Sequence, residues 1–343
     1  MAVTTFNEFI TGYKAQAKTE FLYNCPFAVL IPKAKLLDQK FGNVKMREIS
    51  ITGGTVPYSG AYPTGNQGAK INVNWRTYKY DYDGAFNFSD DSLDEIQSYL
   101  QGTKPSIIVG VEQYIGKTFS IETSLLCAST YYSQVPEANK LKGLFDKGFY
   151  AGLDTLDTKL TNAKVPKNHI VYVWVNASTY EKQAAEARAN HILANTVVIE
   201  INQNGIVVKK DVLKYGRFLI IPVADDIMVD KVDQLDGKSE GQEAGGVVAA
   251  SDSKQIQALV IPEDAGWVDN QYVTANIWYN PMLDPGEIGP IDSNIIDLTG
   301  DFRINKVGPN PEADAFAIKG RVRNGRGLYE INKQYCFSVE ANA

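Results

Sequence analysis

The chain has 343 residues, of which 44% are hydrophobic and 22% are charged, and its formal net charge is −6. These proportions are those of an ordinary globular protein, and they exclude a chain that is disordered over most of its length. The acidic balance and the lack of a dense Lys/Arg run exclude a protein built around a strong phosphate-binding field.

Cysteine usage and the first residues indicate a protein that is not secreted. Cys25, Cys127 and Cys336 are odd in number, widely spaced and without a CxxC pair, so neither a disulfide framework nor a zinc site is expected. The start MAVTTFNEFI lacks the basic and apolar regions of a signal peptide. No apolar run approaches the length needed to cross a bilayer, so no membrane partner is expected.

Charge is unevenly distributed along the chain. Residues 224–301 hold 16 Asp/Glu and 3 Lys/Arg, whereas residues 1–50 hold 7 Lys/Arg and 4 Asp/Glu. This asymmetry is expected of a chain whose two ends face different surroundings. It is equally explained by surface charges that only keep the protein soluble.

The N-terminal region is predicted to contain a helix and an extended arm. Over residues 5–23, Thr5 and Glu8 have capping-box spacing and several apolar residues fall on one face. The next segment, CPFAVLIPKAKLLDQKFGN, has prolines at both ends of an apolar run, which predicts an extended arm with a short helix near Leu36.

Residues 46–58 and 69–88 are predicted to form the two strands of a long hairpin. The tip, SGAYPTGNQG, is dense in turn residues. An isolated two-stranded ribbon is marginal in water, so this one needs a surface to lie on, and a neighbouring copy of the chain would supply it. The β-favouring residues behind the prediction are Ile49, Ile51, Ile71, Val73, Trp75, Tyr78 and Tyr80.

Aromatic residues are concentrated in the predicted ribbon. Tyrosine combines apolar area with a polar tip and favours interfaces, although cross-strand pairing within the hairpin also explains it and both can hold. Single-stranded nucleic acid is a weaker alternative, because Arg76 and Lys79 alone make a thin basic groove. The residues predicted to make inter-subunit contacts are Tyr58, Tyr62, Trp75, Arg76, Tyr78 and Tyr80.

Two helices are predicted after the ribbon. Residues 89–100 suit a short acidic helix, and residues 105–132 suit a longer one of roughly 40 Å at 1.5 Å per residue. Glu122 interrupts the apolar stripe of the longer helix and needs a partner if it is buried.

From residue 151 the chain alternates helices and strands, which predicts a mixed α/β unit. Helices are expected over residues 151–163 and over ASTYEKQAAEARANHIL, the latter capped by Ser178 and Glu181. Strands are expected at HIVYVWVN, GIVVKKDVL, GRFLIIPV and QIQALVIPEDAGW, with AFAIKGRVRNGRGLYEI and QYCFSVE as closing strands. The small, polar stretch VDQLDGKSEGQEAGGVVAASDS is predicted to be a surface loop or insertion.

No catalytic or nucleotide-binding motif emerges. His169 and His191 are the two histidines, no GxSxG surrounds a serine, and both histidines are predicted to be structural. GVEQYIGKT at residues 110–118 places five residues between its glycines instead of four, and it is predicted to be helical. Gly65 and Gly68 precede no helix, which argues against a dinucleotide fingerprint.

A metal site is not expected either. Four carboxylates crowd the short acidic helix, but the spacing of a calcium loop is absent and the positive end of the helix explains them. These residues are Asp90, Asp91, Asp94 and Glu95. The sequence therefore predicts no metal, no cofactor and no enzymatic activity.

The order of these parts resembles the major capsid protein of tailed bacteriophages, the Hong Kong 97-type capsid fold. Residues 80–95 are also similar to a family segment in which a strand ending in Asp-Arg is followed by Phe, a β-branched residue and an acidic helix start. Tyr82 replaces the usual Arg and Ser89 replaces an Asp, so the salt bridge of that Arg is not expected here. The matching positions are Asp81, Phe86, Phe88, Asp94 and Glu95.

Other segments extend the resemblance over nearly the whole chain. VYVWVNASTYEKQ looks like the strand–Asn–helix start of the family's axial domain, and ADAFAIKGRVRNGRGLYE resembles its last peripheral-domain strands. The resemblance implies an α+β fold. Its implied parts are an N-terminal arm (1–45), an extended β-ribbon or E-loop (46–88), a peripheral domain (89–150 and 300–343) with a spine helix (105–132), and an axial domain (151–299).

The function that the resemblance implies is structural. The chain would self-assemble into pentamers and hexamers of an icosahedral shell that encloses phage DNA. Its partners would be copies of itself, packaged DNA touched non-specifically on the inner face, and portal, scaffolding or decoration proteins. Its location would be the virion, with assembly in the host cytoplasm.

Three other functions stay open at this point. An encapsulin-like nanocompartment shell resembles the same fold, and a cargo-binding groove on the inner wall would favour it. An enzyme with an α/β catalytic domain would need a cleft with perturbed titratable groups. An adhesin or other surface binding protein would predict a signal peptide, or a β-sandwich without the long central helix.

Overall fold

The strands and helices form a mixed α/β architecture with two large sheets. A computed structural model describes residues 19–33, 43–52, 70–90, 106–190, 192, 194–203, 206–234, 246–279, 304–306 and 316–342. The helices are α1 (Ser106–Gln134), α2 (Phe149–Asn162) and α3 (Ala177–Ala189), with 3₁₀ helices at Pro26–Lys33, Glu137–Asn139 and Lys333–Tyr335.

Fourteen strands lie within the described ranges, in sheets of five, seven and two strands. The first sheet has the order β1-β2-β13-β11-β12, the second β3-β14-β10-β4-β7-β6-β5, and the third β8-β9. The bounds are β1 (Asn43–Thr52), β2 (Lys70–Asp90), β3 (Lys140–Lys142), β4 (Val171–Asn176), β5 (Asn195–Gln203), β6 (Ile206–Tyr215), β7 (Phe218–Val223), β8 (Val232–Gln234), β9 (Val247–Ala249), β10 (Ala258–Pro262), β11 (Gly266–Tyr279), β12 (Ile304–Lys306), β13 (Phe316–Leu328) and β14 (Phe337–Glu340).

The seven-stranded sheet is the centre of the core, because both of its faces are covered. All six residues of β4 are buried, as expected of a strand that runs parallel to β7 inside a sheet with helices on it. Val171, Val173 and Val175 on one face of β4 pack with α2. Its Leu153, Leu156 and Leu160 are fully buried. Tyr172 and Trp174 face the opposite cluster, which includes residues of α1 and of the 3₁₀ helix Pro26–Lys33.

The prediction of an extended arm over the segment that begins at Cys25 is wrong for residues 26–33. This stretch is a 3₁₀ helix packed inside the chain's own core, with Phe27 stacked on Trp174 at 4.8 Å between ring centroids. The Trp174 Nε1–H donates to Pro26 O at 2.9 Å. A continuous apolar run between two prolines is covered on all sides here, so it needs no neighbour. Of the predicted helix over residues 5–23, residues 19–23 are helical, and residues 1–18 and the position of Leu36 lie outside the described residues.

Two other predicted helix starts are corrected. Helix α3 is capped by Asn176, whose side chain accepts from Thr179 N at 3.0 Å, whereas the predicted cap Ser178 hydrogen-bonds to Asp225. The acidic helix does not begin at Ser89, because β2 continues through Asp90 and pairs there with β13. The remainder of that predicted helix lies outside the described residues.

The predicted helix over residues 105–132 and the predicted need of Glu122 for a partner are both confirmed. Helix α1 has 29 residues and therefore a length of about 43 Å. Glu122 is buried and its Oε1 accepts from Gly246 N at 2.7 Å. Gly246 precedes β9 of the small β8–β9 hairpin, which lies within the stretch predicted as a polar loop and packs on Leu125 and Leu126 of α1.

Candidate assembly interface

Strand β2 divides into two halves with different partners. Residues 70–79 pair with β1, from Thr52↔Lys70 to Asn43↔Lys79, and residues 80–90 pair with β13. Because β1 and β13 flank β2 on opposite edges and share no stretch of it, residues 70–79 pair with β1 alone among the described strands, beyond the point where β13 ends. The result is a two-stranded ribbon of ten residue pairs, about 34 Å long, and the predicted hairpin is confirmed over these residues.

The ribbon, defined here as residues 43–52 and 70–79, exposes apolar side chains. Ile71 is 67% exposed and Val73 is 40% exposed. The register sets Ile51 opposite Ile71 and Ile49 opposite Val73, and directly opposed positions of an antiparallel pair lie on one face. Four β-branched apolar positions therefore lie on one face of the two-stranded element, and the two of them on β2 are exposed.

The base of the ribbon is fixed to α1 through β13 and β11. Arg326 on β13 donates to Leu126 O at 3.0 Å and to Thr130 Oγ1 at 2.7 Å. The Tyr131 hydroxyl donates to Trp267 O on β11 at 2.8 Å, and burial raises the pKa of Tyr131 well above its usual range. These contacts couple the sheet that carries the ribbon to the longest helix.

The predicted interface residues fall in different places. Trp75, Arg76 and Tyr78 lie on the ribbon, opposite Arg47, Met46 and Val44 respectively. Tyr80 lies in the half of β2 that pairs with β13, and Tyr58 and Tyr62 lie outside the described residues. Their inter-subunit contacts stay predictions.

The residues that carry the family resemblance are partly described. Asp81 falls at an irregularity of the β2–β13 ladder, between Tyr80 and Tyr82, while Phe86 and Phe88 pair with Gly320 and Ile318. Asp94 and Glu95 lie outside the described residues. Ile71 and Val73 were predicted to be strand residues but were not among the predicted interface residues. The alternation Ile-Asn-Val-Asn at residues 71–74 was the available signal, since it predicts one apolar and one polar face.

The cysteines and His169 form no activated nucleophile. All three cysteines are buried, and burial raises the pKa of Cys25 and of Cys336, which keeps both thiols protonated. His169 Nε2 lies 2.9 Å from Asp264 Oδ1 and joins the start of β4 to the turn after β10. Asp264 also raises the pKa of Cys336, so this cluster disfavours a thiolate. His191 lies outside the described residues.

A cleft of about 490 Å³ opens between β6, β7 and the N-terminal segment near Tyr23. Pairing of β6 with β7 ends at Leu213↔Ile220, because Pro222 of β7 has no N–H for the next ladder bond. Lys210 lies in the cleft and its Nζ donates to Cys25 O at 2.7 Å. Burial lowers the pKa of Lys210 to about 8. The residues that line the cleft include no serine, cysteine or histidine from which this amine could take a proton.

The described residues offer neither a metal site nor a membrane-spanning helix. No group of three or more His, Cys, Asp or Glu side chains suited to a metal ion occurs there. Within the same ranges, no helix combines the length and apolar character that a membrane span requires.

No family model and no curated protein matches the chain. Solved structures that it resembles are mostly phage capsids. The capsid of cyanophage P-SCSP1u has 10% identity over 88% of this chain and 84% of its own, with a TM-score of 0.48. The mature capsid of bacteriophage PhiM1 has 10% identity over 88% and 82%, with a TM-score of 0.45. A virus-like particle from Pyrococcus furiosus has 10% identity over 94% and 97%, with a TM-score of 0.37.

Proposed function

We propose that this chain is the subunit of a self-assembling icosahedral shell, the major capsid protein of a tailed bacteriophage, and that it acts without enzymatic chemistry. The observation that carries the proposal is the ribbon, which exposes Ile71 at 67% and is anchored to α1 through β13. A projecting arm with an apolar face gains most of its stability by lying on another molecule.

A shell subunit needs contacts of this kind. Rings of five and six copies use heterologous interfaces, in which one surface of a subunit binds a different surface of the next. A ribbon of about 34 Å reaches a neighbour without thickening the shell, and it can bend at its two-stranded part while the seven-stranded core stays rigid.

The parts of the chain take the following proposed roles. The ribbon is the extended loop between capsomers, α1 is the spine helix of the peripheral domain, and the central α/β unit is the axial domain. Of the proposed N-terminal arm, residues 1–45, the stretch 21–31 packs into the chain's own core, so the contact with a neighbour is proposed for the remainder. Packaged DNA, a portal, and scaffolding or decoration proteins are further proposed partners.

The proposal is tested by removing the apolar face of the ribbon. The double variant Ile71→Asp/Val73→Asp is expected to fold, with an unchanged circular dichroism spectrum, and to form no particles in negative-stain electron microscopy. Ile331→Asp is the matched control, because Ile331 is a 37% exposed isoleucine outside the ribbon and its variant is expected to assemble. A second variant that lacks residues 58–68 is expected to behave like the double variant.

Abundant particles from the double variant would overturn the interface role of the ribbon. The contents of wild-type particles decide between the two kinds of shell. Nuclease-protected DNA supports a capsid, whereas particles filled with protein cargo would favour the nanocompartment.

A further inference from the structure

The two edges of the seven-stranded sheet differ in how they are protected. Strand β3 ends one edge with three residues, Lys140–Lys142, two of which are lysines. Among the described strands, β5 ends the other edge with nine residues, NTVVIEINQ, which include no lysine, arginine or proline. Native edges are usually short, bulged or lysine-bearing because a long open edge pairs with another chain. The β5 edge has none of these protections.

The backbone of β5 presents alternate residues to that edge. β5 pairs with β6 over all nine residues without a register shift, and two residues separate Gln203 from Ile206 at the hairpin end. The closing pair of such a hairpin exchanges hydrogen bonds, so the odd-numbered residues of β5 bond to β6. The N–H and C=O groups directed away from β6 belong to Thr196, Val198, Glu200 and Asn202.

The side chains at this edge are only half covered. Val198 is 61% exposed on the outer face of the sheet. Val197 and Ile199 pack on the core cluster from the inner face but are only partly buried. A second strand placed alongside β5 would complete the burial of these side chains and satisfy the edge groups together.

We propose that β5 pairs antiparallel with β5 of a second copy, about a two-fold axis that passes through Ile199. In this register Ile199 faces the partner's Ile199, and Val197 faces the partner's Ile201. The polar ends also match, since Thr196 faces the partner's Asn202. The strand is therefore self-complementary, as an isologous contact requires.

Charge is compatible with this register. Glu200 lies opposite Lys209 within its own chain and would face the partner's Val198, so the two Glu200 carboxylates do not oppose each other. The contact covers one strand of about 30 Å, which is narrower than a stable interface of about 1,200–2,000 Å². We therefore expect a weak pair in isolation that strengthens where many contacts act together. The inference does not rest on the ribbon, because a two-fold pair forms without a closed shell.

The test is disulfide trapping in the full chain with Ile199→Cys. In the proposed register, residue 199 faces its own copy at a non-hydrogen-bonded site, where the Cα atoms are about 4.5 Å apart and within reach of a disulfide. The native cysteines are buried, which keeps background low. Mild oxidation is expected to convert most of the protein into a dimer on a non-reducing gel.

Matched variants fix the register. Val197→Cys is expected to stay monomeric on the gel, because two copies of residue 197 would be about 13 Å apart along the strands. The double variant Val197→Cys/Ile201→Cys is expected to regain the dimer, since each cysteine then faces the other on the partner. A monomer from Ile199→Cys, or equal dimer from Val197→Cys, would overturn the proposal.

Two further measurements keep the test independent of folding defects and of the proposed function. In the unmodified chain, amide exchange at Val198 and Glu200 should slow as protein concentration rises, and concentration-independent exchange would contradict the pair. Adding Ile199→Cys to the ribbon variant Ile71→Asp/Val73→Asp should still give the dimer where no particles form. Particles without the β5 dimer would leave the shell proposal standing and remove this one.

Discussion

Strand β4 and the ribbon half of β2 both carry β-branched apolar residues at alternate positions but end in opposite environments. β4, Val-Tyr-Val-Trp-Val-Asn, is buried at every position. The ribbon half of β2 has asparagines between its β-branched residues, and Ile71 is 67% exposed. The difference lies in neighbours: β4 has β10 and β7 at its edges and an apolar cluster on each face, whereas the described neighbour of the ribbon half is β1 alone.

Apolar strands therefore have two different roles in this chain. Those of the seven-stranded sheet hold the chain together, and those of the ribbon are available to another molecule. Changes in the first set should therefore alter the free energy of unfolding, and changes in the second should alter assembly.

The largest loss of stability is expected from Trp174→Ala. Trp174 is fully buried, stacks on Phe27 and donates to Pro26 O, so it joins the N-terminal segment to the sheet. Deleting a buried indole should lower the free energy of unfolding by about 3–5 kcal/mol, measured by urea denaturation. Trp174→Phe keeps an aromatic ring beside Phe27 but loses the Nε1–H bond and part of the buried volume, so a smaller loss of about 1–2 kcal/mol is expected. Equal losses from both variants would contradict the packing role of the indole.

A smaller, pH-dependent effect is expected from Lys210→Met. Burial lowers the pKa of Lys210 from 10.5 to about 8 in the folded chain. Between these pH values the unfolded chain keeps a proton that the folded chain has lost, so stability from this group rises with pH, by at most about 1.4 kcal/mol per unit. Below pH 8 both states are protonated, and the folded state bears the full cost of a buried charge.

The variant removes that titration. The gain in the free energy of unfolding of Lys210→Met over the wild type should be largest below pH 8. It should decline as the pH rises toward 10.5. Urea denaturation at intervals from pH 7 to pH 10 measures the trend. The pKa of the neighbouring Cys25 stays raised in the variant, because burial is its main cause and the charge of Lys210, which the variant removes, lowers it. Lys209→Met on the same strand is the control, and a pH-independent difference for Lys210→Met would show that this amine is not desolvated.

The sequence predicted most of the elements whose hydrophobic pattern is long or repeated. Helix α1, the hairpin, β4, β6, β7 and the closing strands were all expected, because 3.6- and 2-residue periods are properties of the local sequence. Strand β5 was missed, although NTVVIEINQ is rich in β-branched residues and is followed by Asn-Gly, a common hairpin turn. The prolines that flank the apolar run Pro26–Lys33 favour an extended segment, but burial of its apolar residues in the core stabilises a 3₁₀ helix instead.

The candidate interface was predictable in position but not in detail. Turn residues and aromatic residues indicated the ribbon, whereas the exposed Ile71 and Val73 are not among the predicted contact residues. Their exposure depends on where β13 stops along β2, at Tyr80↔Gly325, and that is a tertiary fact. In the same way, the hydrogen bond that the buried Glu122 accepts comes from Gly246, which lies 124 positions away in the chain.

The smallest effect on unfolding is expected at the ribbon, with Ile71→Thr. Threonine keeps β-branching and strand propensity while it removes apolar area, and an already exposed side chain loses little on this exchange. The free energy of unfolding should change by less than about 0.5 kcal/mol. Ile220→Thr is the matched control, since Ile220 is a fully buried isoleucine on β7 and the same exchange there should cost about 2–4 kcal/mol by placing a hydroxyl in the core. Although its effect on unfolding is small, Ile71→Thr should lower the yield of particles, because it weakens the surface that the shell proposal places between copies. If the two variants lower the melting temperature equally, the ribbon is part of the chain's own core and the contrast with β4 fails.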